Sequence, residues 1–477
     1  MTQENRATQR VVPIVDVSAS DDVALVPLFA AHNKVYPRSV QGVFARWRWA
    51  MVVLTQLVFY GLPWLSWGPR QAVLFDLGSR RFFIFDLVLY PQDFIYLTGL
   101  LVISALSLFL FTAMAGRLWC GYACPQTVYT EIFLWIERKV EGDRQARLRL
   151  DSGQFSLEKL VKKWTKHLFW FMVAMWTGFT FVGYFTPIKD LGMEFLQTRM
   201  SSWEVFWVFF YALATYGNAG FMREQVCKYM CPYARFQSAM FDKDTLIVTY
   251  DAKRGEPRGS HSKNDSASGA CVDCSLCVQV CPTDIDIRKG LQYECIGCGA
   301  CADVCDGVMD KLGAPRGLIR YTTPNAIAQG WGRQQIWRRM WRPRVLMYSG
   351  ILLAITLGMG VSLALRSPFK VDVVRDRGVM ARLVAGGMLE NVYRLQVMNA
   401  TESLQHYRIE VQGLNGLEGL VVASDPLTDV GSAQSRWVSV RLQMPGDAPK
   451  GSYPIVFAIT ALDSGRVLQE KSVFLVP

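Results

Sequence analysis

This sequence of 477 residues contains few histidines and no loop of a known nucleotide-binding pattern. Only four histidines occur and none lies centrally in a long apolar block, so paired axial ligands for a b-type haem inside a helix bundle are not expected. No G-x-G-x-x-G or Walker loop occurs, which leaves nucleotide binding without support. Residues 1–48 lack the short apolar stretch of a cleavable signal peptide, so the first apolar block is expected to stay as an anchor.

What is present in quantity is apolar sequence, 51% of the chain, gathered in long blocks as in a membrane protein. Five blocks approach the ~20 residues that a helix needs to cross ~30 Å of hydrocarbon. These predicted spans are Trp49–Trp67, Phe94–Met114, Leu168–Phe185, Trp203–Ala219 and Val345–Leu365. The apolar run Phe82–Tyr90 is shorter and contains Asp86, so we interpret it as an interfacial or re-entrant piece.

Lysine and arginine predict the orientation of these spans, since they accumulate in cytoplasmic loops. Six precede the first span, ten lie between spans two and three, and eighteen lie between spans four and five. The opposite side carries three and two. The N-terminus is therefore predicted to be cytoplasmic and the C-terminal region to lie outside. The net charge of +11 is mostly this topology signal, and nucleic-acid binding is not expected.

None of the twelve cysteines lies in the predicted external loops or domain. Structural disulfides would be expected outside the cell, not inside, so these cysteines are predicted to be metal ligands or redox thiols.

Eight of the cysteines form one array with the ligand spacing of a bacterial two-cluster ferredoxin. The two runs are Cys271-x2-Cys274-x2-Cys277-x3-Cys281-Pro282 and Cys295-x2-Cys298-x2-Cys301-x3-Cys305. In such arrays the fourth cysteine of each run binds the other cluster. The predicted ligand sets are therefore Cys271, Cys274, Cys277 and Cys305 for the first cluster, and Cys295, Cys298, Cys301 and Cys281 for the second. Zinc sites usually take two separated pairs of ligands and explain two triplets poorly.

The other four cysteines repeat a second motif, C-x3-C-P, after spans two and four. Its copies are Cys120-Gly-Tyr-Ala-Cys124-Pro125 and Cys227-Lys-Tyr-Met-Cys231-Pro232. If the helices continue, an i, i+4 spacing puts both sulfurs of a copy on one face, with the proline loosening the helix. Four soft sulfurs brought together would suit Cu(I). The spacing alone leaves copper binding, a disulfide, electron relay and simple packing open.

Two further segments complete the organisation. Thr130–Arg149 is predicted to be a cytoplasmic helix whose charged face is solvated near the bilayer. Beyond the fifth span, residues 367–477 alternate apolar and polar residues in about seven strands, typical of a β-sandwich of immunoglobulin type. The predicted fold is thus an α-helical membrane protein with an inserted two-cluster ferredoxin module and a C-terminal immunoglobulin-like sandwich. The predicted domains are residues 1–48, 49–240, 241–344, 345–366 and 367–477.

With both cysteine patterns, the segment Lys34-Val-Tyr-Pro-Arg38 and the segment Gly317-Leu-Ile-Arg-Tyr321, the chain resembles the FixG/CcoG family of cytochrome c oxidase accessory proteins. The resemblance implies a bacterial inner-membrane protein with two 4Fe–4S clusters. It also implies that Cu(II) is reduced to Cu(I) for assembly of a cbb-type oxidase. Spacing alone indicates only a membrane-bound carrier with two clusters.

Combining the two lines of reasoning gives Cys120, Cys124, Cys227 and Cys231 as the predicted catalytic and copper-binding residues. The expected partners are a cytoplasmic electron donor, oxidase assembly factors and copper chaperones or transporters, and a homodimer is a further expectation. Two alternatives belong to other classes: a membrane ferredoxin that passes electrons from quinol to a periplasmic reductase, and an assembly scaffold or redox sensor without turnover.

Overall fold

The computed structural model describes residues 34–259, 269–376, 381–413, 419–446 and 449–477. Residues 1–33 of the predicted N-terminal segment lie outside the described residues. The helices are α1 (Val43–Gly61), α2 (Phe94–Ala115), α3 (Leu118–Tyr122), α4 (Pro125–Glu141), α5 (Arg144–Ser152), α6 (Leu157–Val182), α7 (Ile188–Leu196), α8 (Ser202–Gly220), α9 (Arg223–Gln225), α10 (Pro232–Met240), α11 (Ala252–Gly255), α12 (Leu276–Gln279), α13 (Ala300–Leu312), α14 (Pro324–Gln329), α15 (Arg333–Met340) and α16 (Pro343–Ala364).

All five predicted spans lie mainly on helices, namely α1, α2, α6, α8 and α16. Within the described part of the chain, two segments are long and apolar enough to cross a membrane, Pro91–Ala115 and Pro343–Ala364. Helix α8 passes the same test only together with Arg223–Met230, to which it is bent by 96°. The count of five crossings therefore stays a prediction.

Small residues allow the long helices to pack closely. A Cβ on Gly178 of α6 would lie 2.2 Å from the carbonyl oxygen of Val208 on α8, so the two backbones nearly touch there. A Cβ on Gly99 of α2 would lie 3.0 Å from the Sδ of Met359 on α16. Close backbone approach at small residues is typical of helix pairs in membranes.

The segment between the first two spans folds as strands, which makes the interpretation of Phe82–Tyr90 as an interfacial or re-entrant piece wrong. Its strands are β1 (Ser66–Trp67), β2 (Arg70–Gln71), β3 (Val73–Asp76), β4 (Arg81–Ile84) and β5 (Leu87–Leu89). Strands β3, β4 and β5 form an antiparallel sheet. Its apolar residues pack with Met398 and Ala433 of the C-terminal domain, and the Tyr90 hydroxyl donates to the Asn399 carbonyl at 2.8 Å. The buried residues of the run, Phe83, Val88 and Tyr90, thus pack against protein.

The predicted helix Thr130–Arg149 is also corrected. It is two helices, α4 and α5, separated at Gly142, whose φ of 90° favours glycine. Much of its charged face is buried, including Glu131, Glu137, Glu141 and Arg147. Glu137 accepts hydrogen bonds from Arg147 at 2.9 Å and from Arg223 at 3.0 Å. The charges face partners distant in sequence, which local periodicity does not reveal.

The ferredoxin module contains α11 to α14 and the antiparallel strands β6 (Ile247–Tyr250) and β7 (Ile319–Thr322), which flank the cysteine runs. It is anchored to the start of α1, where the Asp303 carboxylate of α13 accepts the backbone N–H of Phe44 at 3.1 Å and of Ala45 at 2.7 Å. A carboxylate at this position caps the helix, because it accepts free backbone N–H groups and is attracted to the positive end of the helix dipole. The first long helix therefore begins on the ferredoxin module.

The C-terminal region is a sandwich of two antiparallel sheets, and its described residues form nine strands where about seven were predicted. Its strands are β8 (Phe369–Arg375), β9 (Arg382–Val384), β10 (Met388–Asn399), β11 (Gln405–Gly413), β12 (Val421–Val422), β13 (Leu427–Val430), β14 (Ser435–Pro445), β15 (Gly451–Ala461) and β16 (Val467–Val476). One sheet has the order β12-β14-β10-β8 with β9 beside β10, and the other has β13-β11-β15-β16. Asp93 at the start of α2 pairs with Lys370 and, at 2.6 Å, with Arg366, which fixes the sandwich to the helix ends opposite the ferredoxin module.

Candidate iron–sulfur and thiol site

The first set of four cysteines lines one cavity in the ferredoxin module. These are Cys271, Cys274, Cys277 and Cys305. The first two lie on the loop before α12, the third in α12 and the fourth in α13. The rest of the wall is mainly apolar, including Tyr250 of β6 and Ile319 of β7. Four thiols in an apolar chamber fit a cubane cluster, which takes four thiolate ligands.

The second set lines an adjoining cavity. These are Cys281, Cys295, Cys298 and Cys301, and Cys277 also reaches its wall, so the two cavities are neighbours. The loop between Cys295 and Cys301 turns tightly because Gly297 and Gly299 adopt left-handed conformations, with φ of 66° and 73°. The grouping of cysteines in each cavity is the one that the spacing predicts for the two ligand sets.

Burial controls the charge state of several of these thiols. It raises the pKa of Cys277 to about 11 and the pKa of Cys295 and Cys305 to about 12. These three thiols are therefore protonated at neutral pH without metal, and binding of iron must release their protons. Among the described residues, no group of three or more His, Cys, Asp or Glu side chains is arranged to hold a single metal ion.

The two C-x3-C-P motifs do not continue a helix, so the predicted i, i+4 geometry is wrong. In the first copy α3 ends at Tyr122, and Cys124 is extended with φ −61° and ψ 129°. In the second copy the turn is π-helical, because the Cys231 N–H donates to the Val226 carbonyl five residues back. Each proline occupies the first position of a new helix, α4 or α10, where its missing N–H is tolerated.

The first cysteine of each copy packs at the second cavity. Cys120 and Cys227 both lie against the apolar group formed by Val280, Ile296, Cys298 and Ala300. A Cβ on Gly121 would lie 2.9 Å from the carbonyl oxygens of Gly297 and Ile296, so α3 and the cluster loop are in backbone contact. The structure thus brings the two cysteine patterns together at one of the two cavities.

The tyrosines that the two copies share are not equivalent. The Tyr122 hydroxyl donates to the Cys298 carbonyl at 3.2 Å and is buried. Tyr229 in the second copy is 65% exposed. The tyrosine therefore contacts the loop that carries Cys298 in the first copy of the motif, whereas in the second copy it faces outward.

Burial also dominates the electrostatics of the Cys120, Cys124 and Cys227 thiols. It raises the pKa of Cys120 and of Cys227 to about 12, and mutual repulsion among the motif cysteines acts in the same direction. The Arg117 guanidinium opposes both shifts. Arg117 is 4% exposed and donates to the Ala234 carbonyl. The Cys120 thiol donates a hydrogen bond to the Oε1 of Gln237, with 3.3 Å between Sγ and Oε1.

Three functional candidates were missed from the sequence. Arg48 and Arg117 are buried basic residues whose charges act on Cys298 and Cys295 respectively, and Asp303 links α13 to α1. In the sequence Arg48 is only one of the six lysines and arginines that precede the first span. A usable signal for Asp303 was its position between two predicted ligands, Cys301 and Cys305, where a charge is unexpected in an apolar wall.

Comparisons with known proteins agree with the modules seen in the structure. A family model described as "4Fe-4S dicluster domain" matches residues 222–324, and one described as "4Fe-4S binding domain" matches residues 97–141. A third, for the "IG-like fold at C-terminal of FixG", matches residues 359–477. The chain therefore carries iron–sulfur domains and an immunoglobulin-like domain.

Relatives match along most of the chain. Nitrogen fixation protein FixG of Rhizobium meliloti is 39% identical over 423 residues, covering 81% of this chain and 81% of that protein. Protein RdxB of Cereibacter sphaeroides is 41% identical over 403 residues, covering 82% and 84%. Protein RdxA of the same organism is 38% identical over 446 residues, covering 91% and 94%. This chain belongs to the FixG family.

Proposed function

We propose that this chain is a membrane-bound oxidoreductase that reduces Cu(II) to Cu(I) for assembly of the copper site of a cbb-type cytochrome c oxidase. The observation that carries the proposal is the packing of Cys120 and Cys227 on the apolar group that contains Cys298, a residue of the second cysteine cavity. Thiolates are soft ligands that prefer Cu(I) among biological metals. A soft-sulfur site in contact with a redox centre is the arrangement that a metal reductase needs.

The proposed cluster ligands follow the two cavities. Cys271, Cys274, Cys277 and Cys305 would hold the first 4Fe–4S cluster, and Cys281, Cys295, Cys298 and Cys301 the second. When bound, each cluster accepts and donates one electron at a time, and one electron converts one Cu(II) to one Cu(I). The protein's own contribution is to hold the thiols in apolar walls and to place cationic Arg48 and Arg117 beside the second set.

The motif cysteines are proposed to hold the reduced product. Copper would bind the sulfurs of Cys120 and Cys227 and displace their protons, because burial keeps both thiols protonated without metal. Val280, Ile296 and Ala300 form the apolar surroundings. Two thiolates suffice for Cu(I), whereas a site that also used Cys124 and Cys231 would require side chains to move.

Membrane sidedness and partners complete the proposal. The ferredoxin module is proposed to face the cytoplasm of a bacterium and the β-sandwich the periplasm, supported by the distribution of lysine and arginine. A cytoplasmic electron donor would then meet the ferredoxin module. Copper chaperones or transporters and oxidase assembly factors would take Cu(I), and the sandwich offers them a docking domain.

The test of the copper site is substitution of the four motif cysteines by serine. We expect copper binding to be lost while iron and sulfide contents stay those of the unsubstituted protein, because the cluster cysteines are untouched. A matched control replaces Tyr229, the exposed tyrosine inside the second motif, by phenylalanine. Unchanged copper stoichiometry in the four-serine variant would contradict the site assignment and favour the electron-relay alternative.

A further inference from the structure

The Lys34–Arg38 segment, so far without a role, is fastened between α5 and the ferredoxin module. Its lysine and tyrosine side chains bind the Asp151 carboxylate at 2.8 and 2.6 Å. Its proline carbonyl accepts a hydrogen bond from Arg147. Its last backbone N–H donates to the Gln279 carbonyl at 2.8 Å. These contacts hold the segment's arginine beside the turn that carries Cys281.

A small, partly open cavity lies at this junction. The charged residues in its wall are Arg38, Arg48, Arg138, Arg147 and Glu131. Arg147 is also paired with Glu137, yet the wall still holds an excess of positive charge. An excess of guanidinium groups around one cavity is the arrangement that recognises oxyanions, since each can donate two parallel hydrogen bonds.

Two of these guanidinium groups are buried with donors left over. Arg48 is 8% exposed and Arg147 is 3% exposed. The Nε of each has no hydrogen-bond partner in the described part of the chain. Arg48 reaches Glu131 only at 3.4 Å. The more accessible Arg38 and Arg138 are the groups that can donate directly to an anion in the cavity, while the two buried guanidinium groups add positive charge behind it.

The cavity opens into a wider groove towards α1 and α4. The two share Ser39, Val40 and Arg138. The further wall of the groove includes Arg46, Trp49, Trp135 and Lys139. Tryptophan with arginine and lysine at a helix end is typical of the lipid headgroup layer, and basic pockets between such helices bind anionic headgroups.

We propose that this cavity binds a phosphate group, carried by an anionic membrane lipid or free in solution. The site adjoins the second cysteine cavity, since Val280 and Pro282 in its wall flank Cys281. Negative charge there opposes the addition of an electron nearby, so the ligand binds the oxidised protein more tightly and lowers the reduction potential of the second cluster. The binding itself does not depend on copper chemistry, whereas the effect on potential rests on the proposed cluster assignment.

The test compares two variants of the full chain in nanodiscs. The double variant Arg38→Gln with Arg138→Gln removes two guanidinium groups that line the cavity. The control variant, Arg149→Gln, removes an exposed guanidinium group of α5 outside the cavity. Inorganic phosphate is titrated by calorimetry in phosphatidylcholine discs, and retention of phosphatidylglycerol over phosphatidylcholine is measured by native mass spectrometry. Iron content is checked first, so that failure to hold clusters is distinguished from failure to bind phosphate.

We expect the double variant to lose about tenfold or more in affinity for the phosphate probe, as the loss of charge-assisted hydrogen bonds implies. The control should bind as the unsubstituted protein does. One cluster's midpoint potential, followed by EPR, should fall on adding the bound probe and not shift in the double variant. Binding of phosphatidylglycerol alone assigns the site to lipid, and binding of free phosphate assigns it to a soluble anion. Saturable binding of neither probe, or equal binding by both variants, overturns the proposal.

Discussion

Gly121→Ala tests whether the first C-x3-C-P motif is in backbone contact with the second cysteine cavity. The added Cβ would lie 2.9 Å from two carbonyl oxygens, of Gly297 and Ile296, and 3.0 Å from the Cα of Cys298. These atoms belong to backbone and cannot rotate away, so the loop or α3 must shift. Overpacking of this kind costs about 1–3 kcal/mol. Since the loop carries two proposed ligands of the second cluster, we expect that cluster to be lost or short-lived while the first is retained.

The assay is anaerobic purification followed by iron and sulfide analysis, EPR of the reduced protein and the decay of each cluster signal in air. Iron content should fall by about half if one of two cubane clusters is lost. Gly307→Ala is the matched control, because Gly307 lies in α13 near the other cavity and a Cβ there has no neighbour within 4 Å. Equal iron content and equal cluster lifetimes in both variants and the unsubstituted protein would refute the close contact.

Three further predictions concern how the modules are joined. Asp303→Ala removes the cap from Ala45 and should cost about 0.5–2 kcal/mol, with faster hydrogen exchange at the start of α1, while Asp303→Asn keeps most of the protection. Glu137→Ala leaves buried cations unpaired and should cost about 3–5 kcal/mol in thermal or denaturant unfolding, whereas Glu158→Ala, on an exposed pair, should cost under ~1 kcal/mol. Burial opposes ionisation of Asp151, but hydrogen bonds from its partners hold its pKa well below the usual range. The stabilisation by Asp151 is therefore present above about pH 4 and lost as the pH falls below that value. At pH 7, Asp151→Asn should speed hydrogen exchange in residues 34–38, as acid does in the unsubstituted protein. Equal exchange in the variant and the unsubstituted protein would contradict the role of Asp151 in holding this segment.

The local parts of the site could be predicted because ligand spacing is a property of short loops. Three cysteines, each separated from the next by two residues, lie on one tight loop and can bind one cluster. The fourth cysteine, three residues further on, points towards the other cluster. In the structure Cys281 lines the cavity of the second run and Cys305 that of the first, while the assignment of ligands to each cluster stays a prediction. The apolar blocks likewise predict helices, because only a helix satisfies its own backbone in lipid.

Contacts between distant segments could not be predicted. The run Phe82–Tyr90 is apolar because it packs on the β-sandwich, and nothing in the run distinguishes that partner from lipid. The charges of α4 and α5 resemble a solvated face because their counter-ions, such as Arg223, come from another part of the chain. The i, i+4 expectation failed at Cys124 and Cys231 because each proline starts a new helix and forces the residue before it into an extended conformation.

The most direct test of the central claim is anaerobic oxidation of the reduced protein by Cu(II). Purified protein in detergent would be reduced and freed of excess reductant. It would then be mixed with Cu(II) in the presence of a Cu(I)-specific chelator, while cluster absorbance and chelated Cu(I) are followed together. The proposed function predicts one Cu(I) formed for each electron lost from the clusters, with the reaction slowed by serine at Cys120 and Cys227. Clusters that stay reduced in the presence of Cu(II) would contradict it.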